Sequence, residues 1–349
     1  MKKREGLYLF WNDVHGESLG QTLERFAGYF QRNLERWPNE AETGASGSRS
    51  EHPGRNRSDS EGEDPRSVIP TGLREFDKRG GHKRKQVTVY GACSGEGKSL
   101  WALALSRAAA IAGYRVAVFS MEDPQERSAD RALSTETDIN SARLLAGEVN
   151  ESEVVRIELA ADDAEWADSI EWYDGLRTPD EILEVLDEDG PFDLAVVDYL
   201  SAFPHGKHGR ERSISDFMWA FTKWCQENNV AGVAMAQLGN RPVEEGLDIF
   251  RRALFKDPEA VPKPEWFRGF NESDLMWCTD IGRNAKEVGF MQRPARIMKR
   301  LGFPAEDNVM EFNFPKRNWG AEGVLRVGVD PKTARFFDLE TREKKEKKR

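Results

Sequence analysis

Cysteine is scarce in this chain. The three thiols, Cys93, Cys225 and Cys278, show no Cys-x-x-Cys spacing, so neither a disulfide framework nor a zinc ribbon is expected. Five histidines form no ligand cluster. No apolar run is long enough to span a membrane, and the opening Met1-Lys-Lys-Arg4 leads into no signal-type segment. Positive charge is in deficit: 51 Lys and Arg face 61 Asp and Glu, a formal net charge of -10. That excludes a generally basic nucleic-acid coat protein, while a local basic channel stays compatible with it. The expectation is a cytoplasmic protein with no membrane partner, its 349 residues sufficient for one large domain or two.

What the chain does have is Gln86-Val-Thr-Val-Tyr-Gly-Ala-Cys-Ser-Gly-Glu-Gly-Lys-Ser99. A β-branched run, Val87 to Val89, enters a loop holding Gly91, Gly95 and Gly97, and helix-forming Leu100-Trp-Ala-Leu-Ala-Leu105 follows. Strand, glycine loop, helix is the setting of a phosphate loop, with Ala92 where the strict pattern has glycine. Glycines let successive backbone N–H groups face an anion, and the helix N-terminus adds partial positive charge. The expected nucleotide-binding residues are Ala92, Ser94, Gly95, Glu96, Gly97, Lys98, Ser99 and Leu100. Lys98 would reach the β- and γ-phosphates of ATP, and the Ser99 hydroxyl would bind Mg²⁺.

Before this loop, Leu19, Leu23, Phe26, Phe30, Leu34 and Trp37 recur at helical spacing after a capping-box pair, Ser18 and Gln21. The polar stretch 39–67 reads as a disordered linker, rich in Glu, Ser, Gly and Arg and almost free of aliphatic residues. Cut off by that tether, the apolar stripe of the 1–38 segment is expected to pack on a neighbouring subunit. After the loop, strands are expected at Arg115–Ser120, Ser169–Trp172, Phe192–Asp198 and Val230–Ala236. Helices are expected at Pro124–Leu133, Ser141–Ala146, Glu151–Ala167, Pro179–Asp187 and Ser213–Gln226. This alternation means α/β with a mainly parallel sheet and ligands at the carboxyl ends of its strands. Regularity fails from Asn240 to Asn271, a loop of basic and aromatic residues broken by prolines. Hairpin strands are expected at Val309–Gly320 and Gly323–Val329, a last strand near Ala334–Leu339, and a basic tail at 341–349.

Three polar residues close the expected strands. Asp198 ends an apolar strand, where a carboxylate can hold Mg²⁺ through water. Glu122 follows Arg115–Ser120 and could deprotonate an attacking water, with Asp123 competing for that role. Gln237 follows Ala236 and either senses a γ-phosphate or caps the strand.

Together these pieces resemble the RecA-like motor domain of DnaB-type replicative DNA helicases, over residues 68–340. The resemblance is carried by Pro70-Thr-Gly-Leu-Arg-Glu-Phe-Asp77, Ala92–Ser99, Phe119-Ser-Met-Glu122, Val197-Asp-Tyr-Leu200, Ala236-Gln-Leu-Gly-Asn-Arg241, Ser273-Asp-Leu275 and Lys316-Arg-Asn318. It implies an α/β, RecA-like P-loop core with a C-terminal β-hairpin, hydrolysing ATP with Mg²⁺ and translocating 5′-to-3′ on single-stranded DNA as a homo-hexameric ring. A primase or helicase loader is the implied protein partner. Glu122 matches the catalytic glutamate, Asp198 the Walker B aspartate, and Gln237 the residue coupling nucleotide state to the DNA loops. Arg317 matches the arginine finger, a permanent planar cation supplied in trans; without the resemblance it reads as a surface hairpin arginine. Pro315 stands where the family has a basic residue, Met276-Trp-Cys278 replaces its Arg-Glu-Ser, and the N-terminal helical domain of many members is expected to be missing. DNA contacts would fall on channel loops, at Lys207, Arg210, Arg212 and Arg241. The competing reading is a RecA- or KaiC-like ATPase that assembles on DNA or proteins without unwinding.

Overall fold

The computed structural model describes residues 19–33, 67–175, 177–204, 210–238, 252, 256–257, 284–300, 308–317 and 323–339. The expected linker, apart from Ser67, and the basic tail lie outside them. Among the described residues, a nine-stranded sheet organises the chain. Its strands are β3 (Gln86–Cys93), β4 (Val116–Ser120), β5 (Ile170–Asp174), β6 (Leu194–Asp198), β7 (Ala231–Leu238), β8 (Glu287–Gln292), β9 (Val309–Arg317), β10 (Gly323–Asp330) and β11 (Arg335–Phe337). The spatial order is β11-β10-β9-β8-β3-β7-β6-β4-β5. From β8 to β5 every pairing is parallel; β9, β10 and β11 add an antiparallel edge. Two short strands, β1 (Val68–Ile69) and β2 (His82–Lys83), pair separately, with the one-turn helix α2 (Arg74–Asp77) between them in the chain.

The central strands are mostly apolar because both faces are covered. Alternate residues enter two different cores. Tyr90, Val118, Val196 and Val233 face one, with Trp101, Leu105 and Ile157. Val89, Phe119, Val197 and Ala234 face the other, with Phe217, Phe221 and Leu186. The first core lies under α3 (Lys98–Ile111), α4 (Gln125–Thr137), α5 (Ser141–Ala146) and α6 (Glu151–Asp162). The second lies under α7 (Pro179–Glu188) and α8 (Arg210–Glu227). Capping boxes start α6 (Asn150 with Glu153) and α7 (Thr178 with Glu181, Pro179 at the first turn). The helix expected over Glu151–Ala167 stops at Asp162, and a 3₁₀ turn, Glu165–Ser169, delivers the chain to β5.

Helix α1 (Leu19–Asn33), whose apolar stripe is expected to meet a neighbouring subunit, lies on its own chain in this single-chain structure. Leu19, Thr22, Leu23 and Ala27 are buried, and the helix lies on α4, α6, the 3₁₀ turn and β5. The physical reason is the apolar surface waiting there: Val154, Ile157, Ala161, Ala164 and Ala167 join the same core as Leu19 and Leu23. Gly20 permits the approach, since a Cβ at that position would lie 2.2 Å from Asp168 Oδ1.

Strand β8 and helix α9 (Pro294–Arg300) were not foreseen. β8 inserts between β3 and the antiparallel edge, parallel to β3.

Candidate functional site

The glycine loop joins β3 to α3 at the carboxyl end of the parallel strands. β3 runs to Cys93, so Ala92 is a buried strand residue paired with Gln237 rather than part of the loop. Gly95 (φ +74°) and Gly97 (φ +107°) take left-handed backbone that a side chain would strain. Lys98, Ser99 and Leu100 form the first turn of α3, whose N–H groups have no intrahelical acceptors.

Four side chains converge beside this loop because β3, β7, β6 and β4 are consecutive in the sheet. Lys98 is buried; its Nζ donates to Gln237 Oε1 at 3.2 Å and lies 5.6 Å from the Tyr199 ring centre. Burial lowers the Lys98 pKa, against the pull of Asp198 and Glu122. Asp198, at the end of β6, is 4 % exposed. Burial pushes its carboxyl up to about 6, opposed by a hydrogen bond from Ser99 and by the Lys98 charge. Met121 N donates to Asp198 O at 2.8 Å, which brings the residue after it, the exposed Glu122, to the rim of this cluster. Gln237 lies one residue inside the end of β7.

The donor set suits a hard divalent cation. Asp198 Oδ1 is buried without a hydrogen-bond partner, and the Ser99 hydroxyl lies against the same carboxylate. Among the described residues no group of three or more His, Cys, Asp or Glu could hold a metal alone. Its other ligands would be phosphate oxygens and water.

Ion pairs distinguish Asp123 from Glu122. Both Asp123 oxygens are engaged, with Arg127 Nη1 at 2.8 Å and Arg131 Nη1 at 2.9 Å. Despite its burial, those arginines hold the Asp123 carboxyl below the usual range.

Other expected residues lie apart. β9 runs antiparallel to β8, and Arg317 pairs with Glu287, which itself pairs with Thr88 of β3. Arg317 is therefore at the opposite end of the sheet from the glycine loop; Thr88 to Cys93 alone spans roughly 17 Å of strand. Arg210 opens α8, and the exposed Arg212 pairs with Asp216 at 3.6 Å. Lys207 and Arg241 lie outside the described residues, as does Ser273-Asp-Leu275.

The sequence reading missed Arg293 and Arg296, which follow β8 and touch the glycine loop. Arg293 N donates to Glu96 Oε2 at 2.8 Å, Arg293 Nη2 to Gly95 O at 3.1 Å, and Arg296 Nη1 to Glu96 Oε1 at 3.0 Å. Beside them Gln292 Nε2 donates to the buried Glu311 at 2.9 Å, and Arg326 donates to the same carboxylate at 2.7 Å.

Known proteins share this fold. One solved ATPase domain superposes with a TM-score of 0.64 at 19 % identity, over 78 % of this chain and 91 % of that one. A DnaB-like replicative helicase, described with its interactions with primase, gives 0.64 at 19 % identity over 78 % of this chain and 62 % of that one. These likenesses show the RecA-like fold. In sequence, the replicative DNA helicase DnaB of Geobacillus stearothermophilus is 23 % identical over 78 % of this chain and 57 % of its own length. The replicative DNA helicase DnaC of Bacillus subtilis is 24 % identical over 78 % and 57 %. The chain thus spans a little over half the length of these curated relatives. The profile of the DnaB-like helicase C terminal domain matches residues 68–252, through the glycine loop, Glu122, Asp198 and Gln237, and the chain belongs to that family.

Proposed function

We propose that this chain is the motor of an ATP-dependent replicative DNA helicase, a ring of identical subunits, six by resemblance, that translocates 5′-to-3′ on single-stranded DNA. The observation that carries the reading is the convergence of Lys98, Ser99, Asp198, Gln237 and Glu122 on one glycine loop. The family of the chain and the helicase names of its relatives support it.

The loop N–H groups and the Lys98 ammonium receive the β- and γ-phosphates of ATP. Mg²⁺ held by Ser99 and Asp198 would neutralise charge on the phosphate oxygens during transfer. Glu122, exposed and near enough to pull on the Lys98 charge, takes the proton of the attacking water; Asp123, committed to two arginines, does not compete. Gln237 reports the state of the site. Its amide holds Lys98 at 3.2 Å, and a γ-phosphate competing for Lys98 releases it, altering the chain that leaves β7 toward Arg241. Arg317, remote from its own glycine loop, acts on a neighbour's. Lys207, Arg210, Arg212 and Arg241 track the DNA phosphates. Primase and a loader are the protein partners proposed by resemblance; one structural relative was described with primase.

The test is steady-state ATP hydrolysis with and without single-stranded DNA, followed by unwinding of a forked duplex. Strong stimulation and strand separation are expected. Turnover indifferent to DNA would refute the coupling and favour the RecA- or KaiC-like regulatory reading.

A further inference from the structure

A carboxylate inside an anion-binding loop is an electrostatic liability. Glu96 sits between Gly95 and Gly97, two residues before Lys98, where a polyphosphate would meet like charge. Yet its side chain is turned aside. β3 has β7 on one flank and β8 on the other. Lys98 points to the β7 flank, at Gln237 and Tyr199. Glu96 points to the β8 flank, where Arg293 N donates to Oε2 at 2.8 Å and Arg296 Nη1 to Oε1 at 3.0 Å. The Arg293 guanidinium adds a contact at 4.0 Å and donates to Gly95 O at 3.1 Å. The Arg296 guanidinium also lies against Gly95, whose absent Cβ would sit 3.1 Å from Nη1. Two consecutive loop residues are thus fastened to the start of α9, and two guanidinium charges surround one carboxylate.

We propose that Arg296, with the backbone of Arg293, holds the Glu96 carboxylate off the phosphate-binding hollow and masks its charge, so that this loop can accept a nucleoside polyphosphate. The proposal rests on the phosphate-loop reading and adds a positioning residue, Arg296, that acts through Glu96 rather than on the nucleotide. Removing Arg296 frees the carboxylate to swing toward the phosphates and removes the charge that cancels it. Replacing Glu96 by glutamine keeps an acceptor for Arg293 N–H and removes the charge itself, so Arg296 then has nothing left to mask.

The experiment is a double-mutant cycle on the full chain, with Mg²⁺–ADP binding read by calorimetry at low salt. Arg296→Ala is expected to weaken binding about tenfold, the scale of coupling between contacting groups. Glu96→Gln is expected to bind Mg²⁺–ADP tighter than the unsubstituted chain, and Arg296→Ala in the Glu96→Gln background to cost less than twofold. Arg296→Lys, which keeps the charge, should recover most of the loss. Thermal melting without nucleotide accompanies each variant; where Arg296→Ala fails to fold, Arg296→Gln takes its place in the cycle. Equal losses in both backgrounds would overturn the proposal, since a direct role of Arg296 is indifferent to the Glu96 charge; so would weaker binding by Glu96→Gln itself, the result of a purely structural clamp through the Glu96–Arg296 pair. An unsubstituted chain that binds no ADP would refute the phosphate-loop reading and the masking role together; binding with additive losses refutes the masking role alone.

Discussion

Asp130 offers a sharp physical test of the helical layer. It lies on the buried face of α4, 2 % exposed, with Oδ1 lacking a hydrogen-bond partner. Burial pushes its carboxyl up to about 8; Arg131 and Arg127 oppose the rise and Glu126 adds to it. Between pH 4 and 8 the folded protein therefore keeps a proton that the unfolded chain, with an ordinary aspartate, gives up. Stability falls as pH rises through that window, with an ideal slope of about 1.4 kcal/mol per unit, and levels off above the folded pKa. Three units, from 4 to 7, set a ceiling of about 4 kcal/mol, and relaxation around the charge brings the working figure nearer ~2 kcal/mol. Asp130→Asn mimics the protonated form and escapes the penalty. It should melt with the unsubstituted chain near pH 4 and roughly 4–8 °C above it at pH 7. The assay is thermal unfolding by circular dichroism across pH 4–8, without nucleotide. A gap that stays constant with pH, or a variant that melts lower at pH 7, would refute the reasoning.

Glu122→Gln should lower kcat by roughly 10²–10⁴ with KM changed only a few fold, whereas Asp123→Asn, which loosens Arg127 and Arg131, should keep turnover within about tenfold and lower the melting temperature; steady-state kinetics and melting curves separate the two. Gly232→Ala would place a Cβ 2.8 Å from Val87 Cγ2 and 2.9 Å from Cys225 Sγ, in the centre of the sheet. Overpacking there should cost about 1–3 kcal/mol, read from the urea midpoint. Arg326→Ala strands the carboxylate of Glu311, which is 1 % exposed, and should cost about 2–4 kcal/mol in the same measurement; Arg326→Lys should recover part of it.

The glycine loop and the parallel strands were legible because their signals are local: β-branched runs, glycines at fixed spacing and capping pairs each act over a few residues. β8 was not, because polar Glu287 and Gln292 close its short apolar run at both ends and small Gly289 interrupts it. Those residues belong there for long-range reasons. Glu287 accepts from Thr88 of β3, and Gly289 makes room for Phe314 of β9, 2.7 Å from where its Cβ would be. The Glu96–Arg296 pair joins residues 200 positions apart, beyond any window of pattern. The stripe of α1 announced an apolar face but carried no address, and only the fold shows which surface Leu19 and Leu23 cover. Glu122 and Asp123 are adjacent acids that only the family motif separates in sequence; Arg131, eight residues further on, engages Asp123.

The register of β9 has a consequence for symmetry. If Arg317 completes a neighbour's site, each subunit offers a glycine loop on one surface and a finger on another, and the contact between them is head to tail. Such a contact is heterologous: it cannot close on itself as a two-fold dimer, and it propagates until a rotation returns it to the start. A lone subunit then has no complete centre, an open chain of subunits has one fewer than its members, and only a closed ring has as many centres as members. Turnover per subunit would therefore rise with concentration and level off when closure is reached, which ties the onset of chemistry to the act of assembly.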